Sequence, residues 1–398
     1  MNKNTRLAVI ATALATCLVA TAGAAGSRSA SGTYSGLAWT ASSMVTGTTN
    51  TLVPPPGGLA NGGDPIYWPV YPRDSGIVYL LMNTTKGGFI CSGSLLNDGM
   101  SILTAGHCVS DGFNTANPIS TTVFFQPPGG LGAGTRIESS GLPNGGAETR
   151  QVGQYFVNPG YTGNVIDHND VAVLRLTAPA PAHATSYGLY TTNDLTGQNF
   201  TFNGYGRLGD GATGNNNFTS RLRNGDNKYD YALGNAAFGT NWAAALGEPF
   251  AQIQHSTISD FDNGLAANDT TCTVSQDASL AGAAGAVFCD LGRGAREAGV
   301  SGGDSGGPSF INGMISSITS YGLSFGPEFG DVGPACLPDP APSCVNSSFG
   351  EFSGYVPVWL HADFINAAMV PEPGTYALMG LGLVGVAGLA RRRRRQQS

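Results

Sequence analysis

Three residues of this chain have neighbours that suit them to acyl-transfer chemistry. His107 lies in the run Leu-Thr-Ala-Gly-His-Cys, Asp170 precedes the apolar run Val-Ala-Val-Leu-Arg-Leu, and Ser305 lies within Gly-Asp-Ser-Gly-Gly-Pro. A serine hydroxyl becomes an effective nucleophile when a neighbouring base accepts its proton, and histidine is suited to that near neutral pH. A buried carboxylate holds such a histidine in one tautomer and stabilises its charged form. We therefore expect Ser305 to be the nucleophile, His107 the base and Asp170 the orienting group.

Backbone groups near the serine can complete this chemistry. The glycines around Ser305 let the chain turn sharply, so that the amides of Gly303 and Ser305 can converge. Amides aimed at the oxygen that becomes negative are often the largest catalytic contribution. We expect these two amides to form an oxyanion hole.

The elements that must position these groups are predicted to be short strands. Charged residues make up only 11% of the 398, and 59 residues are glycine, which suits tight turns. The stretch 206–269 is rich in Asn and Gly and has no clear pattern, and a helix is predicted only over 361–369. Apolar runs rich in Val, Ile, Thr and Phe indicate strands at Ile77–Met82, Phe89–Leu96, Ser101–Ala105, Thr122–Phe125, Val171–Leu176, Phe200–Tyr205 and Met314–Ser320.

The charge of the body argues against a nucleic-acid partner. Of 19 basic and 26 acidic residues, the two ends hold seven basic ones and Glu372, which leaves 12 against 25. Such an acidic body has no electrostatic footprint for phosphate, and we interpret the acidity as a solubility feature. Neither CxxC nor HExxH occurs, which argues against a zinc site. Calcium could bind in an Asp/Asn-rich loop, but no EF-hand spacing exists, so we expect no metal and no cofactor.

The start of the chain predicts export. A charged start is followed by an apolar run from Leu7 to Ala22 and then by small residues, as in a secretory signal. We expect residues 1–24 to be removed by signal peptidase before Ala25. Residues 25–65 are rich in Gly, Ser, Thr and Pro, which is typical of a linker, a pro-segment or an irregular arm.

The end of the chain contains a second targeting signal. Pro371-Glu372-Pro373 precedes an apolar stretch over 374–390, just long enough to cross a hydrocarbon layer as a helix, and then Arg391–Arg395. This order resembles the PEP-CTERM sorting signal, in which an exosortase-type enzyme processes the motif and transfers the body to the cell surface. The alternative is a permanent C-terminal anchor. In both cases the span anchors the chain in the membrane, at least transiently, and the body lies outside the cytoplasm.

The cysteines are typical of an exported chain. Cys17 lies in the leader, and the other six form an even set: Cys91, Cys108, Cys272, Cys289, Cys336 and Cys344. An even count outside the cytoplasm indicates disulfides, but six cysteines allow 15 pairings.

Taken together, the three catalytic segments resemble the signature blocks of the trypsin/chymotrypsin family of serine proteases. Asn203-Gly204-Tyr205-Gly206 and Ser320-Tyr321-Gly322 resemble two further strands of that family, and the resemblance runs over about 66–369. It implies an all-β fold of two six-stranded antiparallel barrels, with a short C-terminal helix and the triad between the barrels. It also implies a Cys91–Cys108 bridge. Cys272–Cys289 and Cys336–Cys344 are further candidate pairs.

The resemblance also implies where a substrate binds. Gly299 and Val300 would form the floor of the specificity pocket, and Ser320, Tyr321 and Gly322 its wall. No acidic residue stands at the floor, which favours an uncharged P1 side chain in the protein or peptide substrate. Glu328, Asp331 or Glu351 in the following loops could still reach the pocket.

Two departures from the family pattern stand out. Ser301 replaces a usual cysteine four residues before the nucleophile. The chain also lacks the Ile-Val-Gly-Gly sequence that an activating cleavage exposes in the family. Ile66 is at a workable distance but has the wrong neighbours to become the new terminus that pairs with Asp304.

Two other functions are compatible with parts of the sequence. Gly303–Gly307 also matches the G-x-S-x-G elbow of α/β-hydrolases, with Asp339 and His361 as nominal partners. That fold needs alternating strands and helices, and it leaves His107 and Asp170 unexplained. The second alternative is a protease-like surface module that binds without catalysis.

Overall fold

The computed structural model describes residues 29–42, 64–85, 87–113, 115, 118–127, 147–217, 221–333 and 345–369. The predicted signal peptide 1–24, the Cys336–Cys344 pair and the sorting segment 370–398 lie outside the described residues. The strands, in chain order, are β1 (Ser29–Tyr34), β2 (Leu37–Ser42), β3 (Ile77–Thr84), β4 (Gly87–Leu95), β5 (Ser101–Thr104), β6 (Ser120–Phe125), β7 (Glu148–Val157), β8 (Ala172–Leu176), β9 (Asn199–Gly204), β10 (Leu208–Asp210), β11 (Gly214–Asn217), β12 (Arg223–Lys228), β13 (Tyr231–Ala232), β14 (Thr257–Asp260), β15 (Pro308–Ile311), β16 (Met314–Ser324) and β17 (Phe352–Pro357).

Six of these strands close into an antiparallel barrel in the order β3-β4-β5-β8-β7-β6. Five of these strands form where the sequence predicted them, because β-branched and aromatic side chains fit a pleated, half-buried surface. The sixth, β7, was not predicted. Ile77, Leu80, Leu103, Val123 and Leu174 are fully buried in its core. The first predicted barrel is therefore confirmed.

The prediction that the second barrel is closed is wrong. Nine strands form an open sheet in the order β12-β9-β15-β16-β17-β14-β13, with β2 paired to β16 and β1 to β2. A side chain fills the gap between β12 and β14: Asn227 Nδ2 donates to the carbonyls of Asp260 (2.8 Å) and Ala298 (3.1 Å). The backbone of Asp226 also forms an isolated β-bridge with Glu297, on the edge of β12 that does not pair with β9. Because these contacts occupy the closing edge, the sheet curves as a half-barrel.

A hairpin occupies part of the Gly/Ser/Thr-rich arm. β1 and β2 pair through a turn at Ser35–Gly36, and β2 adds to the edge of β16. Leu37, Trp39 and Ala41 alternate along β2 and are buried in the core of the second sheet. This alternation was a local signal for a strand, which the composition of the arm obscured.

The helices are short. They are α1 (Asn241–Leu246), α2 (Thr270–Ser275) and α3 (Ala362–Ala368), and α3 confirms the predicted C-terminal helix. Tight 3-10 turns lie at Pro65–Tyr67, Gly106–Cys108, Ala236–Phe238, Gly282–Phe288, Gly294–Arg296, Pro327–Phe329 and Val358–His361. Within the described residues, every helix is too short or too polar to traverse a lipid bilayer.

Two disulfides link the described residues, Cys91–Cys108 and Cys272–Cys289, and both confirm predicted pairs. Each joins residues 17 positions apart. Loops of this length restrict the unfolded chain to a similar extent, by about 3 kcal/mol. Only Cys91–Cys108 ties the segment of His107 to the first barrel.

We expect replacement of Cys91 and Cys108 by alanine to lower the free energy of unfolding by about 3 kcal/mol and also to lower turnover per folded molecule. The matched pair Cys272→Ala and Cys289→Ala should lose similar stability and keep its turnover. Urea unfolding and peptide hydrolysis measure the two quantities. Equal turnover in both double variants would show that the first bridge does not position His107.

Candidate active site

His107 is held by local structure on both sides. It lies in the turn Gly106–Cys108 that follows β5, and the next residue, Cys108, is bridged to β4. The ring is 3% exposed. The backbone N–H of His107 donates to Asp170 Oδ1 at 2.7 Å, so main chain and side chain approach the same carboxylate.

Asp170 accepts three hydrogen bonds at the start of β8. Besides the His107 amide, it faces His107 Nδ1 at 2.7 Å and accepts from Ser320 Oγ at 2.6 Å, both at Oδ2. Burial alone would raise the pKa of Asp170, but the His107 charge and these hydrogen bonds outweigh it and hold the pKa below its usual range. The carboxyl is therefore ionised and can only accept, which places the ring proton of His107 on Nδ1.

The other ring nitrogen of His107 is left available. Nε2 is buried and has no hydrogen-bond partner among the described residues. With the proton on Nδ1, Nε2 of the neutral ring carries a lone pair. This is the protonation state that a general base requires.

The Ser305 turn packs directly against the His107 segment. Ser305 O accepts from Ser92 N at 2.8 Å and lies 3.7 Å from Cys108 Sγ. At Gly306 (φ +77°) a Cβ would fall 2.0 Å from Thr104 Oγ1 and 2.6 Å from Ala105 N. Only glycine permits this approach, which brings residues 305 and 107 into the same small region.

Gly303, the predicted oxyanion-hole residue, also needs its lack of a side chain. Its φ is +109°, and a Cβ would lie 2.9 Å from the Gly206 Cα. The Gly303 carbonyl accepts from Ser92 Oγ at 2.7 Å. Ser92 thus fixes the turn from β4 through two bonds, a role that sequence reasoning missed although the segment around it had been noted.

Asp304 is buried beside the nucleophile, and backbone amides bind its carboxylate. It accepts from the amides of Gly206 (2.9 Å) and Ser301 (3.0 Å). Burial raises the pKa of Asp304 to about 7, and the charge of buried Arg223 opposes this. In the intact chain, the amide of Ile66 donates to Asp64 instead. Arg223, which the sequence did not indicate, supplies the positive charge near Asp304.

The predicted pocket floor contacts an aromatic ring and a serine. A Cβ on Gly299 would lie 3.0 Å from the ring of buried Phe261, and the Val300 amide donates to Ser353 Oγ at 3.1 Å. Ser301, which stands where the family has cysteine, hydrogen-bonds to Ser347 Oγ at 2.6 Å. This bond braces the floor in place of a disulfide.

The acidic residues near the floor accept hydrogen bonds from neighbouring amides and hydroxyls. Glu351 accepts from the amides of Asn346 and Ser347, both at 2.8 Å. Asp331 accepts from Ser324 Oγ at 2.5 Å and from Ser348 Oγ at 2.8 Å. These carboxylates stabilise the neighbouring loops.

The predicted wall residues have three different roles. Ser320 contacts Asp170, as described above. The Tyr321 side chain is fully buried and bonds to Ser256 Oγ at 2.8 Å, so only its backbone is left for a substrate. Gly322 pairs with Ser42 of β2.

His361 belongs to a separate cluster. Its Nδ1 contacts Asn158 Nδ2 at 2.8 Å, and its Nε2 donates to the His168 carbonyl at 2.6 Å. Both ring nitrogens are occupied, which removes His361 as a base for Ser305. Asp339, the other nominal elbow residue, lies outside the described residues.

Comparison with known proteins identifies the domain. Residues 71–230 match the sequence model of the trypsin family. This stretch of the chain is a trypsin domain. The match includes His107 and Asp170 and ends before Ser305, so the role of Ser305 depends on its own motif and on the contacts just described. Residues 370–395 match the PEP-CTERM protein-sorting motif.

Two solved structures are also similar to the chain that carries this trypsin domain. They are HL collagenase (TM-score 0.44, 96% of it covered) and neuropsin, a serine protease expressed in the limbic system of mouse brain (TM-score 0.45, 99% covered). Both are 17% identical and cover 76% of this chain. No curated protein matches it.

Proposed function

We propose that this chain is an exported serine endopeptidase in which Ser305, His107 and Asp170 act as a triad. One observation carries the proposal. A buried histidine is fixed through Nδ1 by an ionised carboxylate, at 2.7 Å, and keeps its other nitrogen unpaired beside a glycine-lined serine turn.

The reaction follows from these groups. His107 Nε2 takes the proton of Ser305 Oγ as the oxygen bonds to the substrate carbonyl carbon. The amides of Gly303 and Ser305 would bind the resulting oxyanion. His107 then gives the proton to the leaving amine as the C–N bond breaks. A water molecule attacks the acyl-enzyme by the same route and releases the acid.

The surroundings of Gly299 favour an uncharged P1 side chain. Phe261 and Phe349 lie with ring centroids 4.8 Å apart near the floor, and the oxygens of Glu351 are bound by amides. A lysine or arginine at P1 would lose water without an acidic side chain at position 299 to pair with it.

The edge of β16 limits how a peptide can bind. Thr319 pairs with Gly307, and Gly322 pairs with Ser42 of β2. Among the described residues, this leaves only Ser320 and Tyr321 on that edge without a strand partner. An extended peptide adds to such an edge through backbone hydrogen bonds. Because β2 is anchored in the core by Trp39, it forms a wall rather than a displaceable flap.

We therefore expect kcat/KM to stop rising once a substrate extends two residues on the N-terminal side of the scissile bond. Each added pairing bond should contribute about 1 kcal/mol, or roughly fivefold, until β2 is reached, and less than about threefold beyond it. Hydrolysis of acyl-peptides of one to four residues measures this, with extensions on the leaving-group side as control. A tenfold gain from the third and fourth residues would contradict a wall at β2.

Export and sorting are part of the same proposal. Signal peptidase would remove residues 1–24, and an exosortase-type enzyme would act at the PEP-CTERM motif, which occupies 370–395. The apolar stretch 374–390 would hold the chain in the membrane until that step. The body would then remain at the cell surface or in the extracellular matrix.

Labelling with a serine-directed fluorophosphonate tests the proposed enzyme. The wild type should gain one label at Ser305, and Ser305→Ala should gain none. Ser309→Ala is the matched control, because Ser309 is an equally buried serine on β15, four residues further along.

Two results would overturn the proposal. A well-folded wild type that resists labelling would indicate a binding module without catalysis. Labelling that survives in His107→Ala and is lost in His361→Ala would indicate the hydrolase elbow instead.

A further inference from the structure

A group of buried carboxylates surrounds the end of β14, outside the triad. Asp260 ends that strand, Asp262 follows two residues later, and Asp269 caps α2. One carboxylate oxygen from each lies within 4.8 Å of the other two. All three residues are at most 4% exposed. Glu297 adjoins them and accepts from the Asp262 amide at 2.6 Å.

The carboxylates differ in their hydrogen bonds. Asp260 accepts from the Thr271 amide at 2.8 Å, and Asp269 accepts from the amides of Cys272 (2.8 Å) and Asp290 (3.0 Å). Asp262 Oδ1 is buried and has no partner among the described residues. A buried carboxylate that accepts nothing is costly unless a cation neutralises it.

The surrounding charge is strongly one-sided. Asp230 is a further buried carboxylate beside the three aspartates and Glu297. Lys228 forms ion pairs with Asp230 and with Asp290. The arrangement therefore favours a bound cation.

We propose that Asp260, Asp262 and Asp269 bind a calcium ion. The donors are hard carboxylate oxygens, which suit Ca²⁺ and Mg²⁺. Mg²⁺ keeps several waters and is usually held by one or two carboxylates, whereas Ca²⁺ accepts a cage of protein oxygens. Three buried carboxylates that approach one another therefore favour Ca²⁺. The neighbouring Cys272 and Cys289 form a disulfide and offer no thiolate for zinc.

The proposed site is coupled to the predicted specificity pocket. Phe261, between two of the ligands, packs against Gly299. The Asn227 side chain joins the carbonyls of Asp260 and Ala298 at 2.8 and 3.1 Å. Calcium would therefore stabilise the segment that leads to Ser305. This consequence for activity depends on the proposed peptidase function, whereas the binding of calcium does not.

Thermal unfolding of the purified chain, first treated with EDTA, tests the site directly. We expect Tm to rise by about 5 °C at a Ca²⁺ concentration 100 times Kd, and by less with Mg²⁺. Calorimetry should give one Ca²⁺ per chain. An equal Tm in EDTA and in saturating Ca²⁺ would overturn the proposal.

The variant Asp262→Asn tests whether the calcium ion binds at this site and not at another part of the protein. The variant should lose the Ca²⁺-dependent shift, yet in EDTA it should unfold no earlier than the wild type, because asparagine has nearly the shape of aspartate and carries no charge into this acidic group. Asp194→Asn is the control: Asp194 is exposed and has a positive φ (57°) that asparagine tolerates, so its Ca²⁺ response should be unchanged. A normal Ca²⁺ shift in Asp262→Asn would overturn the assignment. Calcium binding without peptide hydrolysis would leave the site standing and reject the peptidase.

Discussion

Replacement of Ser305 by alanine is expected to lower kcat/KM for a peptide with an apolar P1 residue by about 10⁴-fold or more. The variant loses the atom that forms the acyl-enzyme, and only binding and oxyanion stabilisation remain. Ser305 holds its turn through its carbonyl, which accepts from Ser92 at 2.8 Å, and alanine keeps that bond. We therefore expect Tm to change by less than about 3 °C.

The matched control for this kinetic prediction is Ser309→Ala, which should hydrolyse the same peptide within about twofold of the wild-type rate. If Ser305→Ala kept more than a tenth of the wild-type kcat/KM, Ser305 would not be the nucleophile. Thermal unfolding of all three proteins excludes a loss of activity through misfolding.

Replacement of Asp170 by asparagine is expected to lower kcat by about 10⁴-fold near neutral pH. The carboxylate now accepts from the His107 amide, from His107 Nδ1 and from Ser320 Oγ. An asparagine NH₂ group facing Nδ1 would move the ring proton to Nε2, where it blocks the lone pair that must accept the Ser305 proton. Steady-state hydrolysis at several pH values measures the effect.

Asp167→Asn provides the control for a purely structural loss. Asp167 is also buried and accepts from the amide and hydroxyl of Thr162 at 3.0 and 2.7 Å, but it makes no bond to His107. It should lose stability to a similar degree, about 1–3 kcal/mol, with kcat changed less than about tenfold. Equal losses of kcat in the two variants would reject a tautomer-setting role for Asp170.

Five of the six strands of the first barrel were predictable because their information is local, whereas the largely exposed β7 was missed. Ile77–Thr84 and Ala172–Leu176 are short, β-branched and bounded by turns, so pattern and tertiary packing agree. The region 206–269 had no such pattern. Its strands β10 to β13 are two to six residues long, and side-chain bonds such as that from Asn227 to Asp260 hold them in place.

The residues of the candidate site also divide into those marked by local sequence and those set by long-range contacts. His107, Asp170 and Ser305 were recognisable because each lies in a distinctive local run. Arg223 beside Asp304, and Ser320 on Asp170, depend on pairs 81 and 150 residues apart in the chain. No local pattern marks such pairs, because only the folding of the sheets brings them together.

The amino-acid order alone determined the candidate reactive residues, five of the six strands of the first barrel and the sorting motif over 370–395, since each of these depends on neighbours in the chain. The tertiary structure decided that the second sheet stays open, that β2 covers the edge of β16, and that Asp260, Asp262 and Asp269 share one buried space. The physical reason is that closure, edge pairing and charge clustering are set by contacts between distant segments. Their free energies depend on burial and geometry, which a linear pattern does not contain.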